Sequence, residues 1–409
     1  MKSVGVIGCG WIFTQEHILG YLNTTNGYIK GFCDVNHQLA ESAKSKYIEG
    51  LLEKQKKCPS DPLNRLIEKV REETKIYTDY KELIKEVDLI DICTPPVYHT
   101  FYTILSAQSG KGILCEKPFA RSYWDAKEAI EAVKHSNVSF YMFTQVIYNE
   151  IFKLGKKLID DGLIGDIVRI KNCHATKDLD HTVSNKNFWD PLISGGGALS
   201  DIGPHAYSVQ KYWLGENYRL KSVKDNGIDT RIKQRVIQGE KREIIVEDIA
   251  ILELEWQNNG KIVKGEIEAY WGDTSYKFGL YHEIEGTKGI MRFPNGTLGL
   301  LLGKSPLFGI HVFFTVESKE TRKITKFSMP QPKAHSEALI LIDEFCSGIK
   351  SRNPIEFAED MMLMIEGGYI SNKFGRTAVS VEEITKYCAE NAKGDSVKEQ
   401  AEAIIKTLF

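Results

Sequence analysis

Within the first ten residues a β-branched apolar run, Val4-Gly5-Val6-Ile7, stops at Gly8-Cys9-Gly10, and a helical stretch over 12–22 follows. A strand that turns through glycines directly into a helix is followed by a crossover rather than a hairpin, so the next strand runs parallel to it. The alternation recurs. Residues 28–34 read as a second strand and 38–57 as a helix rich in Ala, Leu, Glu and Lys. Residues 87–93, 112–115 and 139–143 read as further strands, with helical segments between them. This pattern builds a doubly wound parallel sheet. Residues 54–75, long, charged and containing Cys58-Pro59-Ser60-Asp61-Pro62, read as a solvated surface insertion with a short helix over 63–73.

After about residue 150 the period changes. A helix over 151–161 stops at Gly162, and 167–173 is a strand. Residues 243–256 and 262–271 alternate about an Asn258-Asn259-Gly260 turn, which predicts an antiparallel hairpin. Strand-like runs return at 278–284, 289–293 and 311–316, and helices at 336–347, 358–374 and 396–408. The expected architecture is α/β: a Rossmann domain over 1–145, then an α+β domain over 146–409. The second domain carries a large, mostly antiparallel open sheet, with C-terminal helices packing back toward the first domain. The alternating strands need apolar cover, which points to a partner subunit on one sheet face.

Composition removes several function classes. Lysine plus arginine (53) nearly balances aspartate plus glutamate (55), so neither a nucleic-acid binder nor a polybasic membrane anchor is indicated. No apolar window approaches a membrane span. Gln15-Glu16-His17 follows the N-terminal apolar run without a cleavage site, so the segment reads as mature protein. Eight cysteines without a C-x-x-C pair read as reduced thiols of a cytoplasmic protein, with no metal site.

Gly8-x-Gly10 between strand and helix is suited to a dinucleotide, because glycines let the backbone approach a pyrophosphate held at the helix N-terminus. Phe13 stands where the full fingerprint has a third glycine. Asp34 ends the second strand, 24 residues after Gly10. A carboxylate there accepts from a ribose diol and repels a 2′-phosphate, which favours NAD over NADP. The competing reading makes Asp34 a cap for the helix near Val35-Asn36.

Three further stretches extend the pattern: Ile92-Cys93-Thr94-Pro95-Pro96-Val97-Tyr98-His99, Glu116-Lys117-Pro118, and Gly195-Gly196-Gly197-Ala198-Leu199-Ser200-Asp201-Ile202-Gly203-Pro204-His205. With Gly8-x-Gly10 they make the chain resemble the Gfo/Idh/MocA oxidoreductases, the family of glucose–fructose oxidoreductase and inositol dehydrogenase. The resemblance implies that Lys117, Asp201 and His205 surround a reacting carbinol. Oxidising an alcohol needs a base for the hydroxyl proton and a positive charge for the developing alkoxide. The expected division makes His205 the acid/base, Asp201 its orienting partner or a substrate contact, and Lys117 the group that stabilises the alkoxide and touches nicotinamide. Asp201 and His205 at i, i+4 share a face if they lie on one helix. Lys117 as proton acceptor stays open.

The same resemblance places Gly8, Gly10, Trp11, Ile12, Asp34, Val35, Thr94, Pro95, His99, Glu116 and Lys117 around the cofactor. It places Tyr148, Asn149, His174, Trp189 and Asp190, with Lys117, Asp201 and His205, around a sugar. Two positions depart from the family pattern. Ser208 stands where a second acidic residue is common, and an arginine expected shortly after Gln145 is missing. The implied activity is NAD-dependent oxidation of a secondary hydroxyl of a sugar, polyol or glycoside, C3 of a glycoside included, by a homodimer or homotetramer. Two rivals are glycoside cleavage through transient oxidation and elimination, and a non-catalytic NAD- and sugar-binding sensor. Glycoside breakdown without accumulating NADH marks the first; binding without turnover marks the second.

Overall fold

The computed structural model of the chain describes residues 1–176, 186–237, 240–272, 280–293, 311–330 and 336–391. The expected helix over 396–408, and positions 278–279 of one expected strand, lie outside them. Strands β1 (Lys2–Ile7), β2 (Gly27–Cys33), β3 (Lys75–Tyr77), β4 (Leu89–Ile92), β5 (Gly112–Glu116) and β6 (Phe140–Phe143) form a parallel sheet in the order β3-β2-β1-β4-β5-β6. Their runs are buried nearly throughout, as helices covering both faces require. β3 was not foreseen: three residues are too few to show a period.

The segment read as a solvated insertion is better packed than expected. The helix Asp61–Glu73 buries Leu63, Leu66, Ile67 and Val70 in one of the two main core clusters, alongside the helix His37–Lys57. Its spacing of apolar residues is helical, which was the signal available in sequence.

The second sheet has nine strands. In chain order they are β7 (Ile167–Thr176), β8 (Arg219–Asp225), β11 (Ile249–Asn258), β12 (Lys261–Trp271), β13 (Leu280–Gly286), β14 (Gly289–Phe293), β15 (His311–Ser318), β16 (Ile324–Pro330) and β17 (Val379–Ser380). β9 (Gln234–Ile237) and β10 (Glu240–Glu243) form a separate pair. The spatial order is β16-β15-β14-β13-β7-β12-β11-β8-β17. Every pairing is antiparallel except β12 with β7.

One face of this sheet is covered by the chain's own helices Gly203–Leu214 and Ile355–Lys373, which touch β7, β12 and β8. The opposite face is charged. Arg169 and Lys171 pair with Glu266 at 3.0 and 2.5 Å, Arg292 pairs with Glu283 and Glu317 at 2.8 Å each, and Lys221 pairs with Glu255 at 2.9 Å. Ile251, Ile290 and Phe313 share this face, half-buried among the ion pairs, so the face is mixed rather than the continuous apolar one expected for a partner subunit. Helix Ser336–Ser347 returns to pack on Ile18–Tyr21, so closely that a Cβ on Gly20 would lie 2.4 Å from Ile342. All eight cysteines are unpaired, and all but Cys58 are buried.

Candidate active site

A cleft of about 710 Å³ opens at the C-terminal edge of the parallel sheet, where β1 and β4 lead their helices in opposite directions. Ligands settle at this switch point in doubly wound sheets. Gly8, Gly10, Trp11, Ile12, Asp34, Val35, Thr94, Pro95, Glu116 and Lys117 line one side, and Phe188, Ser200 and Asp201 the other.

The dinucleotide turn is built by sterics. Gly8 has φ +92°, and a Cβ there would sit 2.8 Å from the Cys93 carbonyl carbon. A Cβ on Gly10 would meet nothing within 4 Å. Gly8 therefore allows the chain to pass β4, while Gly10 leaves an open cradle beside the cleft. The missing third glycine has a local consequence: Phe13 is fully buried against Phe32 and Tyr21, and the helix after the turn begins with a π turn at Phe13–His17.

Asp34 accepts N–H bonds from Cys9 at 2.7 Å and Asn36 at 2.8 Å. It ties the turn to the end of β2, and its remaining lone pairs suit a ribose diol. The helix that follows is capped by the Asn36 side chain, which receives Gln38 N–H at 3.0 Å, so the capping role falls to Asn36. The Thr94 hydroxyl on the cleft wall is buried without a partner. An open glycine cradle, a carboxylate at a strand end and an unpartnered buried hydroxyl together fit NAD. His99 does not line the cleft: its ring joins Pro118 O at 2.8 Å to Thr94 O at 2.5 Å, fastening two loops to each other. Replacing Asp34 with alanine should weaken NAD binding by roughly 10–100-fold, the worth of a charged hydrogen bond, and narrow the preference over NADP. Titrating both cofactors by fluorescence checks this; an unchanged NAD/NADP ratio would remove Asp34 from the ribose site.

Lys117 follows β5, and its bond to Pro118 is cis. Its ammonium donates to Asp201 Oδ1 at 2.7 Å and Asp201 O at 3.0 Å. Asp201 Oδ2 accepts from Trp271 Nε1 at 2.9 Å. Burial raises the Asp201 carboxyl, but Lys117, His205 and the Trp271 N–H outweigh it and hold it below its ordinary value.

His205 is not on one helix with Asp201, as the i, i+4 reading assumed. Helix Ala198–Asp201 ends, and Gly203–Leu214 begins anew with Pro204 in its first turn. Proline is favoured at that position because its missing N–H is an orphan there anyway. No hydrogen bond joins the two side chains among the described residues, so Asp201 holds Lys117 and Trp271 rather than orienting the imidazole. His205 instead lies parallel to His174, ring centroids 6.0 Å apart. Burial and then the Lys117 charge push its imidazole down to about 3, against the pull of Asp201, so it is neutral.

The glycine run is sterically required. A Cβ on Gly195 would lie 2.2 Å from Arg121 O, on Gly196 1.9 Å from Tyr369 Oη, and on Gly197 2.0 Å from Glu247 O. The buried Glu247 carboxylate accepts N–H bonds from Gly197 and Leu199, each at 2.9 Å, and the Tyr369 hydroxyl at 2.8 Å. Gly197→Ala is expected to destabilise by about 1–3 kcal/mol through overpacking. Gly10→Ala, with open space for its methyl, should leave stability unchanged and weaken NAD binding. Urea midpoints with NAD titrations separate the two outcomes.

The remaining sugar candidates divide. His174 is buried beside His205 and His282, its Nε2 without a partner; burial and these neighbours hold its imidazole well below the ordinary value. Tyr148 and Asn149 are not brought to the cleft. Tyr148 is fully buried under Arg352, 4.9 Å from its ring, and Asn149 caps the helix Glu150–Asp160 and donates to Glu337 at 2.6 Å. They follow a strand that ends inside the core, where the Asn149 amide is used locally and the Tyr148 hydroxyl is buried without a partner. Trp189 packs in a small cluster around Ile244, Val246 and Trp271, and Asp190 caps Pro191–Ser194; neither lines the cleft. Trp271, Glu247 and Tyr369 were not legible, because each arrives from a distant segment. Asp91, a carboxylate inside the apolar strand β4, was the one such signal visible in sequence.

Two family models match the chain: the GFO/IDH/MocA oxidoreductase family's NAD-binding Rossmann fold over residues 2–144, and its C-terminal domain over 152–299. Levoglucosan dehydrogenase of Pseudarthrobacter phenanthrenivorans is 28% identical over 53% of this chain and 58% of its own length. Glucose-6-phosphate 3-dehydrogenase of Bacillus subtilis is 24% identical over 61% and 63%. The chain thus spans less than two thirds of either relative. The solved complex of levoglucosan dehydrogenase with NADH and levoglucosan superposes with a TM-score of 0.73, 21% identity, and coverage of 93% of this chain and 99% of that one. At that identity it shows the fold.

Proposed function

We propose that this chain, which belongs to the Gfo/Idh/MocA oxidoreductase family and has its NAD-binding Rossmann domain, oxidises a secondary hydroxyl of a sugar, polyol or glycoside. The observation that carries the proposal is the Lys117–Asp201 pair at 2.7 Å, which joins the end of β5 to the glycine-flanked helix on the cleft wall. Bound NAD supplies the hydride acceptor. The protein's own groups handle charge and the proton. Two of the three ammonium protons of Lys117 are donated to Asp201, which leaves one for a developing alkoxide. His205, held neutral by burial and the Lys117 charge, is the proposed acceptor of the hydroxyl proton, although it stands behind Asp201 and is not itself among the residues that line the cleft. Asp201 neutralises Lys117 and fixes where it points.

The relatives named above act on carbohydrates by their names, one of them at position 3, which supports a C3 carbinol as the first version to test. The unpaired cysteines support a reducing, cytoplasmic setting, and no described helix is long and apolar enough to cross a membrane. A homodimer or homotetramer is the proposed assembly, with the mixed open face of the second sheet as the surface to test first. The test is absorbance of NADH at 340 nm with NAD and a panel of anhydrosugars, sugar phosphates, inositols and glycosides. Reduction with at least one carbohydrate is expected. NAD binding with no reduction and no glycoside breakdown across the panel would overturn the proposal.

A further inference from the structure

The buried charges nearest the cleft that the proposed chemistry does not use centre on His17. Its side chain is fully buried in the π turn, stacked on Phe143 with ring centroids 3.7 Å apart. Nδ1 lies 2.9 Å from Asp91 Oδ2, and Nε2 lies 3.0 Å from Glu116 Oε1. With both carboxyl groups ionised, each ring nitrogen donates to one of them and the ring is an imidazolium. Burial opposes that charge, yet Asp91 and Glu116 together raise the pKa to about 10. Asp91 also accepts from Tyr21 Oη at 2.9 Å and from the Cys93 thiol at 3.4 Å.

The other oxygen of Glu116, Oε2, accepts the backbone N–H of Lys117 at 2.8 Å. A covalent and hydrogen-bonded path therefore runs from the imidazolium through one carboxylate to the residue whose ammonium reaches Asp201. Three buried charges in a row are costly compared with an apolar cluster of the same size, so stability alone is a weak reason for them. We propose that His17 is a positioning residue: it fixes the Glu116 carboxylate, which holds the Lys117 amide and so aims the Lys117 ammonium at Asp201. This rests on Lys117 acting on the reacting hydroxyl, as set out above.

Two substitutions divide the contacts of His17. Asparagine places its amide near the position of Nδ1 and retains Asp91 but not Glu116. Glutamine reaches the position of Nε2 and retains Glu116. Hydrogen exchange of the segment 112–122 in the protein without cofactor is the first readout. It should accelerate in His17→Asn and stay near wild type in His17→Gln. Turnover on whichever carbohydrate reduces NAD is the second: His17→Asn should lose about 10–100-fold in kcat, the cost of misplacing a reacting group by an ångström, with KM for NAD unchanged. In the double variant His17→Asn/Lys117→Met the loss should equal that of Lys117→Met alone, since the first residue acts through the second. Equal exchange in the Asn and Gln variants, or additive losses in kcat, would overturn the proposal and leave the role of Lys117 standing. Wild-type turnover in Lys117→Met alone would overturn that role and this inference with it.

Discussion

Lys117→Met is expected to lower kcat by about 10²–10³-fold, the usual cost of removing one preorganised donor from a developing oxyanion. The structure gives the reason a neutral side chain of similar length fails. Asp201 is held by two opposing groups, the Lys117 ammonium and the Trp271 N–H. Without the ammonium, a carboxylate held by Trp271 alone faces the alkoxide, and attraction is replaced by repulsion. NAD affinity should change little, because the dinucleotide contacts are proposed to lie at Gly8, Gly10 and Asp34, away from the ammonium. Arginine should not restore the rate: its planar fork donates along different directions from a tetrahedral ammonium. Steady-state kinetics with a parallel NAD titration measure both quantities. A variant with near wild-type kcat would remove Lys117 from the chemistry.

His205→Asn is expected to cost about 10²–10⁴-fold in kcat, the range for a general base. The pH profile makes the claim specific. A base works deprotonated, so activity falls as pH drops through its pKa. Burial and the neighbouring Lys117 charge put that pKa at about 3 rather than 6.5. The profile of kcat/KM for oxidation should therefore be flat from pH 8 down to pH 5, with no limb near 6.5. An acidic limb between pH 6 and 7 that disappears in His205→Asn would show that the imidazole is poised near neutrality, and the reading of its environment would be wrong. A lone limb that persists in His205→Asn belongs to another group.

The dinucleotide half was readable because its information is local. The run Val4 to Ile7, the glycines and Asp34 each report a neighbour within one crossover, and the strands are apolar because both faces are covered. The chemical half was readable only as a set of residue types. Lys117 and Asp201 are 84 residues apart, and nothing in their own surroundings says that they pair. The i, i+4 argument for Asp201 and His205 failed at Gly203-Pro204, a helix-start signal that was present in the chain and was outweighed by the spacing. Tyr148 and Asn149 were placed by the family resemblance, whereas the strand before them ends inside the core.

By itself the chain determined the parallel sheet and the glycine turn of an NAD-binding domain with a carboxylate at the end of β2, since these depend on residues within a few turns of one another. Tertiary structure decided who partners Asp201, why three consecutive glycines are needed, and that a buried imidazolium stands behind Lys117. Those outcomes depend on side chains from Trp271, Glu247, Tyr369 and Asp91 arriving at the same place. Contacts of that kind are set by how the two sheets and their helices pack, and burial makes each of them strong enough to govern charge.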